Sequence, residues 1–495
     1  MAELLELKKL LPDEKKRFVI LTDMENEPDD SQTMVRLLLY SNEIDIEGLI
    51  AVTSCWLRED VYPESIVNRI QAFGIVRPNL MKHASGWPTV EELLAVTGGG
   101  QPGFGMDAVG EGKSSCGSEI IIKSLMKDDP RPIYFSINAG ANTLAQALYD
   151  MRNRLTKREL DVCLSKIRVL DDSGQDNAGA WINQEFPEVF YIRNSPQVFS
   201  LNGPDLNMGP QPWKPLNQYK WAEENIRRRH GILGELFPQR FININTLGVP
   251  PGVVIGMFWF MDGGGTTGVL HVLNNGLNAP DEITWGGWGG RFSDKKRKIY
   301  CGESGSAHDD EGFSKKAAGA PNPYIIEDTY EWNSMYGCAA DTWYDEEDKV
   351  LYKDSVYAPL WRFRKDILFD FQARMDWCVD DYETANHHPL ACLNGDDGER
   401  AIMEARVRAG ETYTLDASAS SDPDGDSLSF RWWVYKEAGS LNEDLVMDND
   451  RQAVLTFTVP AEAKSGDTVH LVLEVYDDSK VVSLKSYRRI VLRIV

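Results

Sequence analysis

Phe18-Val19-Ile20-Leu21-Thr22-Asp23-Met24-Glu25-Asn26-Glu27-Pro28-Asp29-Asp30 is the most informative stretch of this 495-residue chain. Its first four residues form an apolar run typical of a buried strand, and five carboxylates follow within eight positions. Like charges at one strand end repel one another unless a divalent cation lies among them, or raised pKa values let them share protons. Either arrangement marks a functional site.

The residues after this stretch predict a β-α-β unit. Residues 31–40 have Met34, Leu37 and Leu38 at helical spacing, and residues 46–52 form a second apolar run. The carboxylates therefore lie between the carboxyl end of a strand and the start of a helix, where they also suit the helix dipole. Ligands of open α/β sheets bind at this edge.

The alternation continues along the chain. We predict helices over 118–126 and 141–151, and strands over 132–137, 167–171 and 253–260. Small or polar residues follow three of these strands, at 138–140, 171–174 and 262–265. Strand ends with this chemistry indicate one shared crevice.

Three regions follow from these patterns. Residues 1–300 are predicted to form a doubly wound α/β domain with a mostly parallel sheet. Residues 301–395 form an extension that is loop-like up to 355, and its helix over 361–377, rich in aromatics and arginine, packs back on that domain. Residues 396–495 alternate as short strands separated by turn signals, which favours an immunoglobulin- or cadherin-like β-sandwich.

Charge and hydropathy exclude several kinds of partner. The formal net charge of -24 argues against nucleic acid and against an anionic membrane surface. No apolar run has transmembrane length, and residues 1–8 lack the apolar core of a signal peptide. We expect a secreted or periplasmic protein if a leader was removed and a cytoplasmic one otherwise. The sequence leaves the oligomeric state open.

Two motifs resemble those of the nucleoside hydrolases. The spacing Asp23-x-Glu25-x-x-x-Asp29-Asp30 is similar to the aspartate-rich turn after the first strand of that family, and residues 138–145 resemble its second, glycine-containing turn. The resemblance implies a divalent cation, by expectation Ca²⁺, held by Asp23, Asp30 and the main-chain carbonyl of Asn142. Asp262 is the candidate for the late aspartate that completes the metal shell in that family.

More narrowly, the chain resembles the nucleoside hydrolase-like proteins known as cellulose-binding proteins, which typically end in a small β-domain. The motifs that carry this resemblance lie at 40–43, 46–51, 77–80, 173–176, 275–277, 285–291 and 386–389. Two acids depart from the nucleoside hydrolase signature, because Glu25 replaces an aspartate and Glu27 is additional. In our assignment Glu25 or Glu27 activates a water molecule and Asp29 binds sugar hydroxyls.

A further set of residues carries polar or aromatic groups suited to a sugar. Trp288 lies between two pairs of glycines. This pattern fits an exposed indole that stacks on a sugar and a buried indole in a tight turn equally well. Gln175 and Asp176 suit sugar hydroxyls or an Asx-turn, and His388 either lies near the crevice or is structural. The predicted substrate-binding residues are Asn138, Gln175, Asp176, Asn275, Trp285, Trp288 and His388.

Two functions compete on this evidence. The first is a hydrolase of glycosidic bonds, N-glycosidic bonds among them, that uses water activated by a metal on a carbohydrate or nucleoside-like substrate. The second is a non-catalytic protein that binds a cellulose-like polysaccharide. The carboxylate spacing favours hydrolysis, whereas the added glutamate and the unassigned late aspartate favour binding alone.

Overall fold

The computed structural model describes residues 3–25, 28–55, 57–172, 174–194, 197–201, 221–238, 265–297 and 335–495. The strands before residue 300 are β1 (Glu3–Leu4), β2 (Lys8–Leu11), β3 (Lys16–Thr22), β4 (Ile44–Ala51), β5 (Thr97–Gly99), β6 (Ile133–Ile137), β7 (Ile167–Asp171), β8 (Phe190–Arg193) and β9 (Phe292–Arg297). The helices there are α1 (Pro28–Leu39), α2 (Pro63–His83), α3 (Val90–Ala95), α4 (Cys116–Leu125), α5 (Asn142–Arg154), α6 (Lys157–Ser165), α7 (Ala178–Glu185), α8 (Gly231–Leu236) and α9 (Thr266–Val272).

The later elements are two groups. The first comprises β10 (Met335–Cys338), β11 (Asp341–Asp345), β12 (Val350–Ser355), α10 (Ala358–Trp361) and α11 (Arg364–Asp376). The second comprises β13 (Ile402–Val407), β14 (Thr412–Asp416), β15 (Leu428–Val434), β16 (Val446–Asp448), β17 (Val454–Thr458), β18 (Thr468–Asp477) and β19 (Lys485–Ile494). None of the described helices is long and apolar enough to cross a membrane.

An eight-stranded sheet with the order β5-β4-β3-β6-β7-β8-β10-β9 forms the α/β domain. All neighbours pair in parallel except β9 and β10, which pair antiparallel. Successive side chains of β3 enter different cores: Phe18 and Ile20 pack with α1, α2 and α11, whereas Val19 and Leu21 pack with α4, α5 and α7. Because side chains of a strand alternate between faces, both faces of this sheet are covered, and the doubly wound prediction is confirmed.

The extension contains more regular structure than its sequence predicts. The range 301–355 is predicted to be loop-like, but β10 joins the main sheet and β11 pairs with β12 in a two-stranded hairpin. The predicted aromatic helix is present as α10 and α11, and it packs on the α/β core through Phe363, Ile367 and Phe371. Residues 301–334 and the predicted strand over 253–260 lie outside the described residues.

The C-terminal all-β region consists of two sheets that share one core. Their orders are β1-β14-β17-β16 and β15-β18-β19-β13-β2, and Leu415 and Phe457 of the first pack with Trp432 and Leu471 of the second. The structure also differs from the predicted domain boundaries at the start of the chain, because residues 3–11 belong to these sheets and not to the α/β domain. β1 pairs parallel with β14, and β2 pairs antiparallel with β13. The immunoglobulin- or cadherin-like identification stays a prediction.

Candidate functional site

The carboxyl ends of four parallel strands meet at one edge of the main sheet. Main-chain hydrogen bonds continue beyond the strands: Asn138 N donates to Leu21 O (2.8 Å), and Asp172 N donates to Ile137 O (2.8 Å). Asn194 N donates to Asp171 O (2.9 Å), which extends the same ladder by one more strand. The polar residues after β3, β6, β7 and β8 therefore lie side by side, as the sequence predicts.

Asp23 and Asp30 form the centre of this edge, and both are buried. Ser54 Oγ donates to Asp23 Oδ2 (2.5 Å), and Thr22 Oγ1 donates to Asp30 Oδ1. Burial raises the pKa of Asp30 well above its usual range, and the neighbouring Asp23 charge raises it further, while the hydrogen bond from Thr22 opposes them. A hydrogen bond between the two carboxyl groups also raises the pKa of Asp30, which is the behaviour of acids that share a proton.

A third buried carboxyl group, Asp172, lies near Asp30. Burial raises its pKa well above the usual range, and the charges of Asp171 and Asp30 raise it further. Asn194 Nδ2 binds both Asp172 Oδ1 (3.3 Å) and Thr267 Oγ1 (2.9 Å), which joins the end of β7 to the start of α9. Asp172 and Asn194 are absent from the predicted site residues, although the acidic residues after β7 carry the signal that could have found Asp172.

Glu25 is held by the second helix. Ser65 Oγ donates to Glu25 Oε1, and Arg69 Nη1 lies 3.6 Å from the same oxygen. The backbone of Glu25 has φ = 74°, in the left-handed region that a residue with a side chain rarely adopts. The turn after β3 is therefore strained, and this glutamate pairs with a cation of α2.

Asn138 lies where β6 ends and α9 begins. Its Oδ1 accepts from Ser136 Oγ (2.7 Å), and its carbonyl oxygen accepts from Gln175 Nε2 (2.6 Å). A Cβ atom at Gly265 would lie 1.7 Å from Asn138 Nδ2, so only glycine lets the start of α9 approach this amide. The nearby Asn138 side chain lowers the pKa of Asp30 and so opposes the effect of burial. Asn138 and Gln175 are thus at the predicted crevice.

Asp176 and Asn142 are tied to helix N-termini. Asp176 accepts from the amides of Asn142 (3.1 Å) and Ala178 (2.9 Å), the first residues of α5 and α7, and the bond to the amide two residues on is that of the Asx-turn alternative. Burial nevertheless raises the pKa of Asp176 to about 6. The Asn142 side chain donates to Thr53 Oγ1 (3.1 Å) and to Gly103 O (2.8 Å). Its carbonyl lies in the first turn of a helix, where carbonyls accept from the amide four residues on.

The two predicted tryptophans lie elsewhere. Trp288 is 3% exposed and packs edge-on against Tyr487 of β19, so the exposed indole is wrong and the buried alternative is correct. Trp285 packs edge-on against His470 of β18 at 4.7 Å between ring centroids. The glycine-rich segment between them lets the backbone approach the β-sandwich closely, since a Cβ at Gly286 would lie 2.3 Å from Tyr435 Oη. Both indoles pack at the contact between the α/β domain and the C-terminal sheets.

Asn275 and His388 also lie away from the acidic residues. Asn275 Oδ1 accepts from the amides of Leu277 (3.1 Å) and Asn278 (3.0 Å), as in an Asx-turn. His388 Nε2 contacts Asp370 Oδ1 (2.6 Å), and Asp370 accepts from Tyr40 at the far end of α1. At a rise of about 1.5 Å per residue, ten residues of helix separate that end from Asp30 by about 15 Å. The structural alternative for His388 is therefore correct.

The acidic edge has the chemistry of a cation site in part. Hard carboxylate oxygens suit Ca²⁺ or Mg²⁺, and the pKa values of Asp30 and Asp172 are both raised, chiefly by burial. Within the described ranges, no three acidic, histidine or cysteine side chains converge well enough to hold a metal ion. Among the described side chains, Asp23 and Asp30 fit as two of the ligands of a divalent cation. Glu27 and Asp262, two other predicted site residues, lie outside the described part of the chain.

Comparisons with known proteins agree with this architecture. Residues 17–292 match the family model described as "Cellulose-binding Sde182, nucleoside hydrolase-like domain", and residues 412–494 match "Cellulose-binding protein Sde0182, C-terminal domain". None of the curated proteins matches the chain.

Among solved structures, the chain is similar to a nucleoside hydrolase-related hypothetical protein from Saccharophagus degradans that is associated with carbohydrate metabolism. The identity is 34%, the TM-score is 0.76, and the match covers 97% of this chain and 100% of that one. A PKD domain from KIAA 1837 protein is 22% identical over 18% of this chain and 78% of its own, with a TM-score of 0.14, too low to carry an argument. The chain thus belongs to the family of cellulose-binding Sde182 proteins with a nucleoside hydrolase-like domain.

Proposed function

We propose that the chain hydrolyses a glycosidic bond of a carbohydrate or nucleoside-like substrate at the edge formed by Asp23, Asp30 and Asp172. The observation that carries the proposal is the burial of Asp30 beside the carboxyl group of Asp23, with its pKa raised well above the usual range, while Asp172 lies near the same acid. Glycosidic cleavage passes through an oxocarbenium-like cation, and carboxyl groups that ionise as positive charge develops beside them stabilise such a cation.

Each residue of the acidic edge has its own role in this proposal. Asp23 and Asp30 hold a divalent cation, by expectation Ca²⁺, which when bound lowers the pKa of a water molecule. Glu25 or Glu27 accepts a proton from the attacking water, and the contacts of Glu25 with Ser65 and Arg69 hold its carboxylate in place. Asp29, at the start of α1, binds sugar hydroxyls, and Asn138 and Gln175, which are hydrogen-bonded to each other, provide further polar groups at the same sheet edge.

Substitution of Asp30 tests hydrolysis. We expect Asp30→Asn to lower kcat/KM on p-nitrophenyl glycosides and on inosine by at least about a hundredfold, because asparagine can neither ionise nor exchange a proton at the centre of the edge. Asp150→Asn is the matched control, since Asp150 is also a buried aspartate but lies on α5, bound to Ser114 and Gln146. Equal rates for the wild type and Asp30→Asn would contradict the proposal.

A non-catalytic carbohydrate-binding protein is the second candidate. Two observations favour it: Glu25 is paired with Arg69, and the described side chains do not form a complete metal site. In that case the wild-type protein binds insoluble cellulose but releases no sugar on long incubation with Ca²⁺. Metal analysis separates the candidates further, because only the hydrolase is expected to retain about one equivalent of cation that Asp30→Asn loses.

A further inference from the structure

An aromatic cleft lies on the face of the molecule formed by the β11–β12 hairpin. Trp343 and Tyr344 of β11 and Trp361 of α10 line it, together with charged residues of the hairpin turn, α11, β15 and β19. Its volume of about 170 Å³ has room for on the order of ten water molecules, and so for a sugar ring. None of its lining residues belongs to the acidic edge.

We infer that this cleft is a second carbohydrate site, one that binds an uncharged oligosaccharide. The first argument is the aromatic wall. Trp343 stacks on Tyr352 at 5.6 Å and 14°, and this pair occupies directly opposed positions of the hairpin. Tyr344, the next residue of β11, is 48% exposed and lines the same cleft. Amphipathic rings held on a rigid element suit the apolar faces of sugar rings.

The second argument is charge. The chain carries a net charge of -24, yet four basic and four acidic side chains line this cleft. Arg431 pairs with Glu346 (2.9 Å) and Lys365 with Glu347 (2.8 Å), so the rim offers hydrogen-bond donors and acceptors without a net charge. Such a rim matches hydroxyl groups, which both donate and accept, better than it matches a phosphate, a sulfate or a cation.

The third argument is rigidity. Asp341 at the start of β11 is buried and binds Arg291 Nε (2.6 Å), Arg362 Nη2 (2.9 Å) and Tyr435 Oη (2.8 Å). These partners come from the α/β domain, the segment between α10 and α11, and the β-sandwich. At the other end of the hairpin, Glu346 binds Arg451 (2.6 Å). A platform fixed at both ends loses little entropy on binding.

Titration calorimetry with cellohexaose, xylohexaose and laminarihexaose tests the inference. We expect the wild type to bind at least one of them, and Trp343→Ala and Tyr344→Ala each to weaken that binding at least tenfold. Tyr149→Ala on α5 is the matched control and should bind as the wild type does. Because Tyr344 is largely exposed, Tyr344→Ala remains informative if Trp343→Ala does not fold.

The same experiment separates this cleft from the acidic edge. Asp30→Asn should keep wild-type affinity for the hexasaccharide even if it abolishes hydrolysis, so either proposal can fail alone. Wild-type affinity in both aromatic variants would overturn the inference. So would the absence of binding to all three neutral hexasaccharides, or binding of hexagalacturonate only.

Discussion

Single residues of this protein show how burial sets proton affinity. His271 of α9 is buried against Phe292, and burial lowers its pKa to about 4, although a hydrogen bond to the Pro280 carbonyl opposes the shift. The unfolded chain releases this proton near pH 6.5, so between the two values the unfolded state binds more protons than the folded one. Protonation of His271 therefore favours the unfolded state. The free energy of unfolding does not depend on this group above about pH 6.5, and it falls as the pH decreases from there towards 4.

We predict that His271→Gln removes this pH dependence. From pH 7 to pH 4, the unfolding free energy of the wild type should fall by about 3 kcal/mol more than that of the variant. Urea denaturation at half-unit pH intervals measures it, and the difference between the two proteins cancels the titration of the other groups. Curves that stay parallel over this range would show that His271 can be protonated in the folded state.

At the scale of elements, the β11–β12 hairpin depends on one ion cluster. Asp341 is 1% exposed and faces two guanidinium groups, of Arg291 and Arg362. Removing one partner of a buried pair leaves the opposite charge without compensation, which costs more than the pair itself contributes.

We predict that Asp341→Asn destabilises the protein by about 3–5 kcal/mol. Asp354→Asn in the same hairpin is the control, because this exposed residue has φ = 52°, which asparagine adopts readily. Urea unfolding followed by tryptophan fluorescence compares the two variants. A change below about 1 kcal/mol in Asp341→Asn would mean that the two arginines find other partners.

At the scale of the whole molecule, the first residues of the chain connect its two ends. β1 and β2 extend the two sheets of the C-terminal region, and Leu5 is buried in the core between them. The chain then passes directly into β3 of the main sheet. The two domains are thus joined by chain connections at both ends of the α/β domain.

We predict that deleting residues 1–11 loosens the C-terminal region and leaves the acidic edge intact. Burial of a leucine contributes roughly 2 kcal/mol, and the deletion also opens the edges of β13 and β14. Hydrogen exchange in residues 402–407 and 412–416 should accelerate at least tenfold, while exchange in residues 133–137 should not change. Unchanged protection of β13 and β14 would contradict the prediction.

The sequence predicted the order of the elements around the acidic site and the sheet edge at which that site lies. The apolar run before Asp23 and the helical spacing after Asp30 are local patterns, and parallel strands necessarily bring their carboxyl ends to one edge. The same patterns predicted the helices and strands that hold Asn138 and Gln175.

Only the tertiary structure decided which side chains meet. Trp288 and His388 carry the right chemistry for a sugar site but pack at the contact between domains, and residues 3–11 join sheets formed almost 400 positions later. The proximity of Asp172 to Asp30 and the aromatic cleft beside β11 likewise arise from strands and helices distant along the chain. Sequence spacing reports periodicity within an element, whereas packing between elements depends on long-range shape and charge that no local pattern contains.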